Sequence, residues 1–166
     1  MDADPHVRQL TAADAAAYRE LRLEALQNAP TAFGTSYEAE SKQTVADFEG
    51  WMTRSYIAGA WLGDNLLGSA SFYRLDSAKA AHRGNIWGVY VQPDARGRGI
   101  ARALMTDIIA FARQEVRQVH LSVVTENAPA IALYEHLGFI TYGTEPRSLL
   151  VDGRYLDEHS MVLRFD

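Results

Sequence analysis

A chain of 166 residues with 48% apolar and 22% charged residues has an ordinary folding composition of one-domain size, which excludes an intrinsically disordered protein. The absence of cysteine excludes disulfides, thiolate zinc sites, iron–sulfur ligation and a cysteine nucleophile. The formal charge of −5, from 16 basic and 21 acidic residues, argues against a coat for nucleic acid or anionic lipid, though not against one local basic pocket.

The start, Met1 to Val7, carries Asp2 and Asp4 without an apolar run, so it does not read as a signal peptide. Val7 to Leu10 reads as a short first strand. Thr11 can cap a helix from about Ala12 to Gln27, because a hydroxyl oxygen satisfies free N–H groups at a helix start. Ala17, Tyr18, Leu21 and Ala25 share its inner face, and Pro30 bars its continuation. A second helix is expected from Thr44 to Arg54, with Val45, Phe48 and Met52 on one face and Trp51 beside them. Tyr56 to Leu62 and Leu66 to Leu75 read as strands joined by a Gly63-Asp64-Asn65 turn. A third strand, from about Ala81 to Val91, ends in a stretch apolar on both alternating sets, as a central strand is, and Pro93 stops it. The clearest periodicity follows. Ala101, Leu104, Met105, Ile108, Ile109, Ala112 and Val116 form an unbroken apolar stripe, which predicts a helix from about Gly99 to Arg117. Val119 to Val124 is a buried strand. Asn127 caps a helix with Ala130, Leu133, Tyr134 and Leu137 inside and Gly138 at its end. Phe139 to Phe165 reads as strands around an Asp152-Gly153 turn.

The strand–helix–strand unit Ile86 to Val124 implies a parallel pair with a right-handed crossover, whereas the other strands are hairpin-linked. The expectation is one α/β domain of α+β type over residues 1–166. It is a mixed, mostly antiparallel, twisted sheet of about seven strands flanked by about four helices. No stretch approaches the ~18–20 apolar residues of a membrane span, so a cytoplasmic protein with no membrane partner is expected.

Gln92 to Ala101 joins a buried strand to a helix start. Gly97 and Gly99 let the backbone turn tightly and approach a ligand, and the free amides of the next helical turn make an anion site. Arg96, Arg98 and Arg102 stand there against Asp94 alone. A phosphate or pyrophosphate is the natural guest. The dinucleotide pattern G-x-G-x-x-G fails at Arg102, and no Gly-Lys-Ser/Thr of a phosphate-binding P-loop exists.

Two motifs carry a resemblance. Val89-Tyr90-Val91-Gln92-Pro93 followed by Arg96-Gly97-Arg98-Gly99-Ile100-Ala101 is similar to the (Gln/Arg)-x-x-Gly-x-(Gly/Ala) loop of the GNAT superfamily of acetyl-CoA-dependent N-acetyltransferases. Asn127, Ala130, Leu133-Tyr134 and Gly138-Phe139 resemble that family's second signature, one strand downstream. The resemblance implies an enzyme that moves acetyl from acetyl-CoA directly to a primary amine of a small molecule or peptide. It also implies roles. The amides of Arg96, Gly97, Arg98, Gly99, Ile100, Ala101 and Arg102 would hold the CoA pyrophosphate. The strand end Val89-Tyr90-Val91 would pair with the pantetheine arm and splay from Leu121–Val124. Asn127 would touch the pantetheine or the helix start, and Tyr134 would stand near the thioester sulfur.

Such a transfer needs a neutral amine, a base, an oxyanion donor and an acid for the departing thiolate. Tyr134 is the candidate acid; it equally suits a core position on its helix. Asn127 suits a cap whether or not it meets a ligand. Glu38 is the first candidate base, ahead of Glu40, Asp157, Glu158, His159, His120, Glu126 and water. No metal-ligand spacing exists, nucleic acid is not an expected partner, and a homodimer is compatible with the sequence. The alternative is a catalytically silent acyl-CoA-binding or sensing domain, which shares the loop but does not need Tyr134.

Overall fold

The computed structural model describes residues 3–166. Met1 and Asp2, the first residues of the Met1–Val7 stretch read above, lie outside the described residues. In chain order come β1 (His6–Gln9), α1 (Ala15–Asn28), α2 (Tyr37–Glu40), α3 (Val45–Arg54), β2 (Tyr56–Leu62), β3 (Asn65–Arg74), β4 (Arg83–Val91), α4 (Ile100–Glu115), β5 (Gln118–Val124), α5 (Ala128–His136), β6 (Ile140–Val151) and β7 (Arg154–Arg164). Single 3-10 turns stand at Ala12–Asp14, Pro30–Ala32 and Pro93–Ala95.

The seven strands form one mixed sheet in the order β1-β2-β3-β4-β5-β7-β6. Every neighbouring pair is antiparallel except β4 and β5, which run parallel as the crossover requires. Both sheet faces are covered. On one side, Leu104, Met105, Ile108 and Ala112 of α4 pack with Ala58, Ala70, Phe72 and Val119, in a cluster that includes Tyr134 and Met161. On the other, Tyr18, Leu21 and Ala25 of α1 and Phe48 of α3 pack with Ile57, Trp61 and Tyr90. The alternation of a strand sends neighbours to opposite faces, so Ile57 and Ala58 belong to different clusters.

Several expectations need correcting. The described residues form five α-helices where about four were expected. The extra one, α2, is a single turn capped by the Ser36 hydroxyl, which accepts from the Ala39 N–H at 3.2 Å. Four residues cannot display a periodic stripe. The first helix opens as a 3-10 turn, and the Asp14 carboxylate takes the Thr11 N–H at 2.8 Å while also gripping Arg8. Val45 is exposed, because it occupies the first turn of α3 beyond the packed Phe48. β4 begins at Arg83, since turns closed on Ser77 and Ala80 occupy the residues before it. On α5 only Tyr134 is fully buried; Ala130, Leu133 and Leu137 are half-buried.

Two irregularities of β4 shape everything that follows. Ser69 pairs with Tyr90 and Ser71 with Trp87, so Gly88 and Val89 together oppose Ala70 in a bulge. Gly88 has φ +64°, a conformation costly for residues with a Cβ. The second irregularity is that β4 meets β5 over three pairs only, Arg83–Gln118, Gly84–Val119 and Asn85–His120. Beyond Asn85 the two strands part.

Candidate active site

The gap between the parted strands opens into a cleft of about 750 Å³, in the usual range for a small-molecule site. Its walls come from Ile86–Val91 of β4, Leu121–Val124 of β5, the start of α4 and the inner face of α5 around Tyr134. Residues 28–33, between α1 and α2, close one side. Val89 and Val91 lie on a strand edge that has left its neighbour, and both line the cleft.

At the mouth, Gly99 caps α4 in a left-handed conformation, φ +75°, with no side-chain capping bond, and Gly97 has φ +77°. A Cβ at either glycine would meet nothing within 4 Å. The glycines are thus required by backbone conformation and not by crowding. The first intrahelical bond runs from the Ala103 N–H to the Gly99 carbonyl at 3.0 Å. The amides before Ala103 in this turn accordingly have no partner within α4, and they add to the positive end of a 16-residue helix. Arg96, Gly97, Gly99, Ile100, Ala101 and Arg102 line the cleft; Arg98 is exposed and does not. Arg96 folds back, its Nε donating to the Val91 carbonyl at 3.0 Å.

Tyr90 contributes to the cleft, yet its side chain belongs to the cluster of α1. Its hydroxyl donates to Glu24 at 3.0 Å and accepts from Asn28 at 3.3 Å, while Gln92 donates to the same Glu24 at 3.1 Å. This network ties the end of β4 to the C-terminal half of α1. Burial lifts the Tyr90 phenol above its ordinary pKa.

The Asn127 side-chain oxygen accepts from the Ala130 N–H at 3.3 Å, the cap read from sequence, and the residue also lines the cleft. Tyr134 reaches in from α5. It is 7% exposed, and burial alone pushes its phenol up to about 12. The hydroxyl stays protonated at neutral pH and is available as a donor.

Glu38 lies elsewhere. It is exposed on α2 and takes no part in the cleft wall. Its neighbour Glu40 is buried, bound through both oxygens to Arg22 at 2.8 and 2.9 Å. The Arg22 guanidinium lies 4.9 Å from the ring centre of Phe33 and 5.4 Å from that of Trp87, both cleft residues. A Cβ on Gly88 would stand 3.3 Å from its Nη1. A buried ion pair thus underlies the cleft wall next to the bulge. Glu126 is the one carboxylate on the cleft lining, and Arg154 holds it at 2.6 and 2.9 Å. Among the described residues, no group of three or more His, Asp or Glu could hold a metal ion. His120 faces away from the cleft, bonded to Gln118 at 2.7 Å and Tyr142 at 3.1 Å.

Sequence reading missed the pairing of Arg22 with Glu40 and the contribution of Arg154. Both join residues far apart in the chain, so spacing carries no trace of them. The short segment Ala32-Phe33-Gly34 also resembles many members of the family named above, and its Ala32 and Phe33 lie on the side wall.

A parted parallel pair, a glycine turn opening the next helix and a buried phenol on the one after agree with an independent comparison. The Acetyltransferase (GNAT) family model matches residues 18–139. The chain belongs to the GNAT acetyltransferase family. Among its relatives is the N-alpha-acetyltransferase RimI of Mycobacterium tuberculosis, 35% identical over 99 residues, which are 60% of this chain and 61% of that protein. Another is the L-amino acid N-acetyltransferase AaaT of Escherichia coli, 35% identical over 78 residues, 46% of this chain and 48% of its own. The matched stretch thus spans less than two-thirds of either GNAT relative. The fold extends further. The yncA acetyltransferase of Salmonella typhimurium, solved with its cofactor acetyl-CoA, superposes with a TM-score of 0.87 at 23% identity, covering 99% of this chain and 95% of that one. A GNAT protein of Kribbella flavida gives a TM-score of 0.82 at 28% identity, covering 97% and 98%. No helix among the described residues is long and apolar enough to cross a membrane.

Proposed function

We propose that this GNAT protein is an acetyl-CoA-dependent N-acetyltransferase acting on a primary amine, with residues 1–166 serving as one catalytic domain in the cytoplasm. The observation that carries the reading is the parting of β4 from β5 beside the glycine turn of α4. It leaves strand-edge groups and helix-start amides facing one cleft, which suits an extended pantetheine arm ending in a pyrophosphate. The residues fit that donor. The glycine turn leaves room for phosphates, and Arg96 and Arg102 add charge. Arg98 is left with a long-range contribution only.

Acetyl-CoA supplies an electrophilic acyl carbon. The chain supplies position, donors and a route for protons. A backbone N–H near the bulge at Gly88 and Val89 serves as the oxyanion donor. Tyr134 donates a hydrogen bond to the departing sulfur. Full proton transfer from a phenol near 12 to an ordinary thiolate, near ~8.5, runs uphill by about 5 kcal/mol. Tyr134 is therefore a hydrogen-bond donor more than a complete general acid. The amine must arrive neutral, and at pH 7 an alkyl amine with pKa ~10.4 is neutral in roughly one molecule per 2,500. The position of Glu38 gives no support to its role as base. Water, with Glu126 at the cleft edge, carries the proton away.

The relatives' names, an N-alpha-acetyltransferase and an L-amino acid N-acetyltransferase, support trying α-amines first as acceptors. The test is thiol release from acetyl-CoA across a panel of amino acids, peptides and polyamines. Turnover above hydrolysis with any amine supports the reading. Tight CoA binding with no turnover on any amine would leave a silent binding domain instead.

A further inference from the structure

A second cavity, of about 400 Å³, lies at the opposite end of the strands, where β4 and β5 begin. Arg74 reaches it from the end of β3, His82 from the β3–β4 connection, Arg113 and Glu115 from the last turn of α4, and Arg117 from the step into β5. The 16 residues of α4 place it about 24 Å from the glycine turn.

The framework of this cavity is fixed by the fold. The Arg117 N–H donates to the His82 carbonyl at 2.7 Å, and the Phe165 N–H donates to the Arg117 carbonyl at 2.9 Å. The Arg113 guanidinium is parked 4.5 Å over the Phe165 ring. Three guanidinium groups face one carboxylate, and none of the three is in an ion pair among the described residues. The end of α4 contributes roughly half a negative charge, too little to offset the excess. That excess sits in a chain whose net charge is −5.

We infer that this cavity is a second anion site, distinct from the donor cleft, which binds a small molecule through a multiply charged phosphate group. Guanidinium forks match phosphate oxygens two at a time, and an apolar partner would leave three charges without counterions. The arginines are exposed, and salt screens such charges within about 8–10 Å, so a singly charged ion is held weakly and several charges on one ligand are needed.

The test is titration calorimetry with inorganic pyrophosphate, and separately with adenosine diphosphate, on protein kept in excess CoA so that the donor cleft does not compete. The expected result is one-to-one binding that weakens at least about tenfold in an Arg74→Ala/Arg117→Ala variant and falls steeply with salt. Tighter binding of adenosine diphosphate identifies the phosphate of a larger molecule; equal binding identifies the free anion. Absence of binding by both probes, or equal binding by the double variant, overturns the inference. The substituted side chains are exposed, so the variant keeps its fold, and an unchanged melting temperature without ligand verifies this.

Discussion

Glu40→Gln is the sharpest probe of the cleft wall. The Arg22 and Glu40 side chains are 7% and 9% exposed and share two hydrogen bonds of 2.8 and 2.9 Å. Removing one charge leaves a buried guanidinium uncompensated, which typically costs about 3–5 kcal/mol. Glutamine keeps one acceptor oxygen, so the lower end applies. For a chain of this length each kcal/mol shifts Tm by about 2–4 °C, so a fall of about 6–12 °C is expected. Removing both charges is different. Arg22→Met/Glu40→Leu should lie within about 1 kcal/mol of the wild type, because two apolar side chains replace a desolvated pair. Urea denaturation of the two variants measures both values. The stacking of Arg22 on Phe33 and Trp87 adds a kinetic consequence. At temperatures where each variant is fully folded, the KM for the amine rises while that for acetyl-CoA holds. A Glu40→Gln loss below about 0.5 kcal/mol would refute the reasoning, since the pair would then be effectively solvated.

Other substitutions address the remaining parts of the cleft. In the proposed mechanism Tyr134→Phe would remove a hydrogen bond to a charged sulfur, worth about 1.5–3 kcal/mol, so kcat should fall roughly 10–150-fold with the CoA Kd unchanged by calorimetry. Because burial holds this phenol near 12, its loss should not alter the pH–rate profile below pH 9; an alkaline limb abolished by Tyr134→Phe would contradict the assignment. Gly99→Ala meets no atoms but forces φ +75° on a residue with a Cβ, costing about 1–2 kcal/mol, and the KM for acetyl-CoA should rise with that distortion. Glu38→Gln should leave kcat/KM within twofold across pH 6–9, and a larger loss would restore Glu38 as a base.

The elements were legible where the chain repeats a physical pattern. The stripe from Ala101 to Val116 announced α4, and the two-sided apolar run ending at Val91 announced a central strand. The glycine turn was legible because a tight strand–helix junction whose backbone runs through positive φ favours glycine at 97 and 99. The place of Glu38 was not legible, for a definite reason. It lies two residues from Glu40 on a single helical turn, and sequence cannot tell which carboxylate faces inward; Arg22 does, from 18 positions upstream. Tyr90 poses a similar problem, since it lines the cleft while its ring packs in the cluster of α1 and α3. The bulge at Gly88 left no signal beyond one glycine in a strand, which many strands contain.

The short contact between β4 and β5 has a mechanical meaning. Three residue pairs are all that stitch β1–β4 to β5–β7 along the sheet, and the rest of that seam is open. A ligand seated in the opening acts as a keystone, linking two halves that otherwise lean on α4 and the core. Its concentration then becomes a variable of folding. At a hundred times its Kd such a ligand adds about 2.7 kcal/mol to the stability of the whole chain. The width of the opening sets both what can enter and how firmly the two halves are held together.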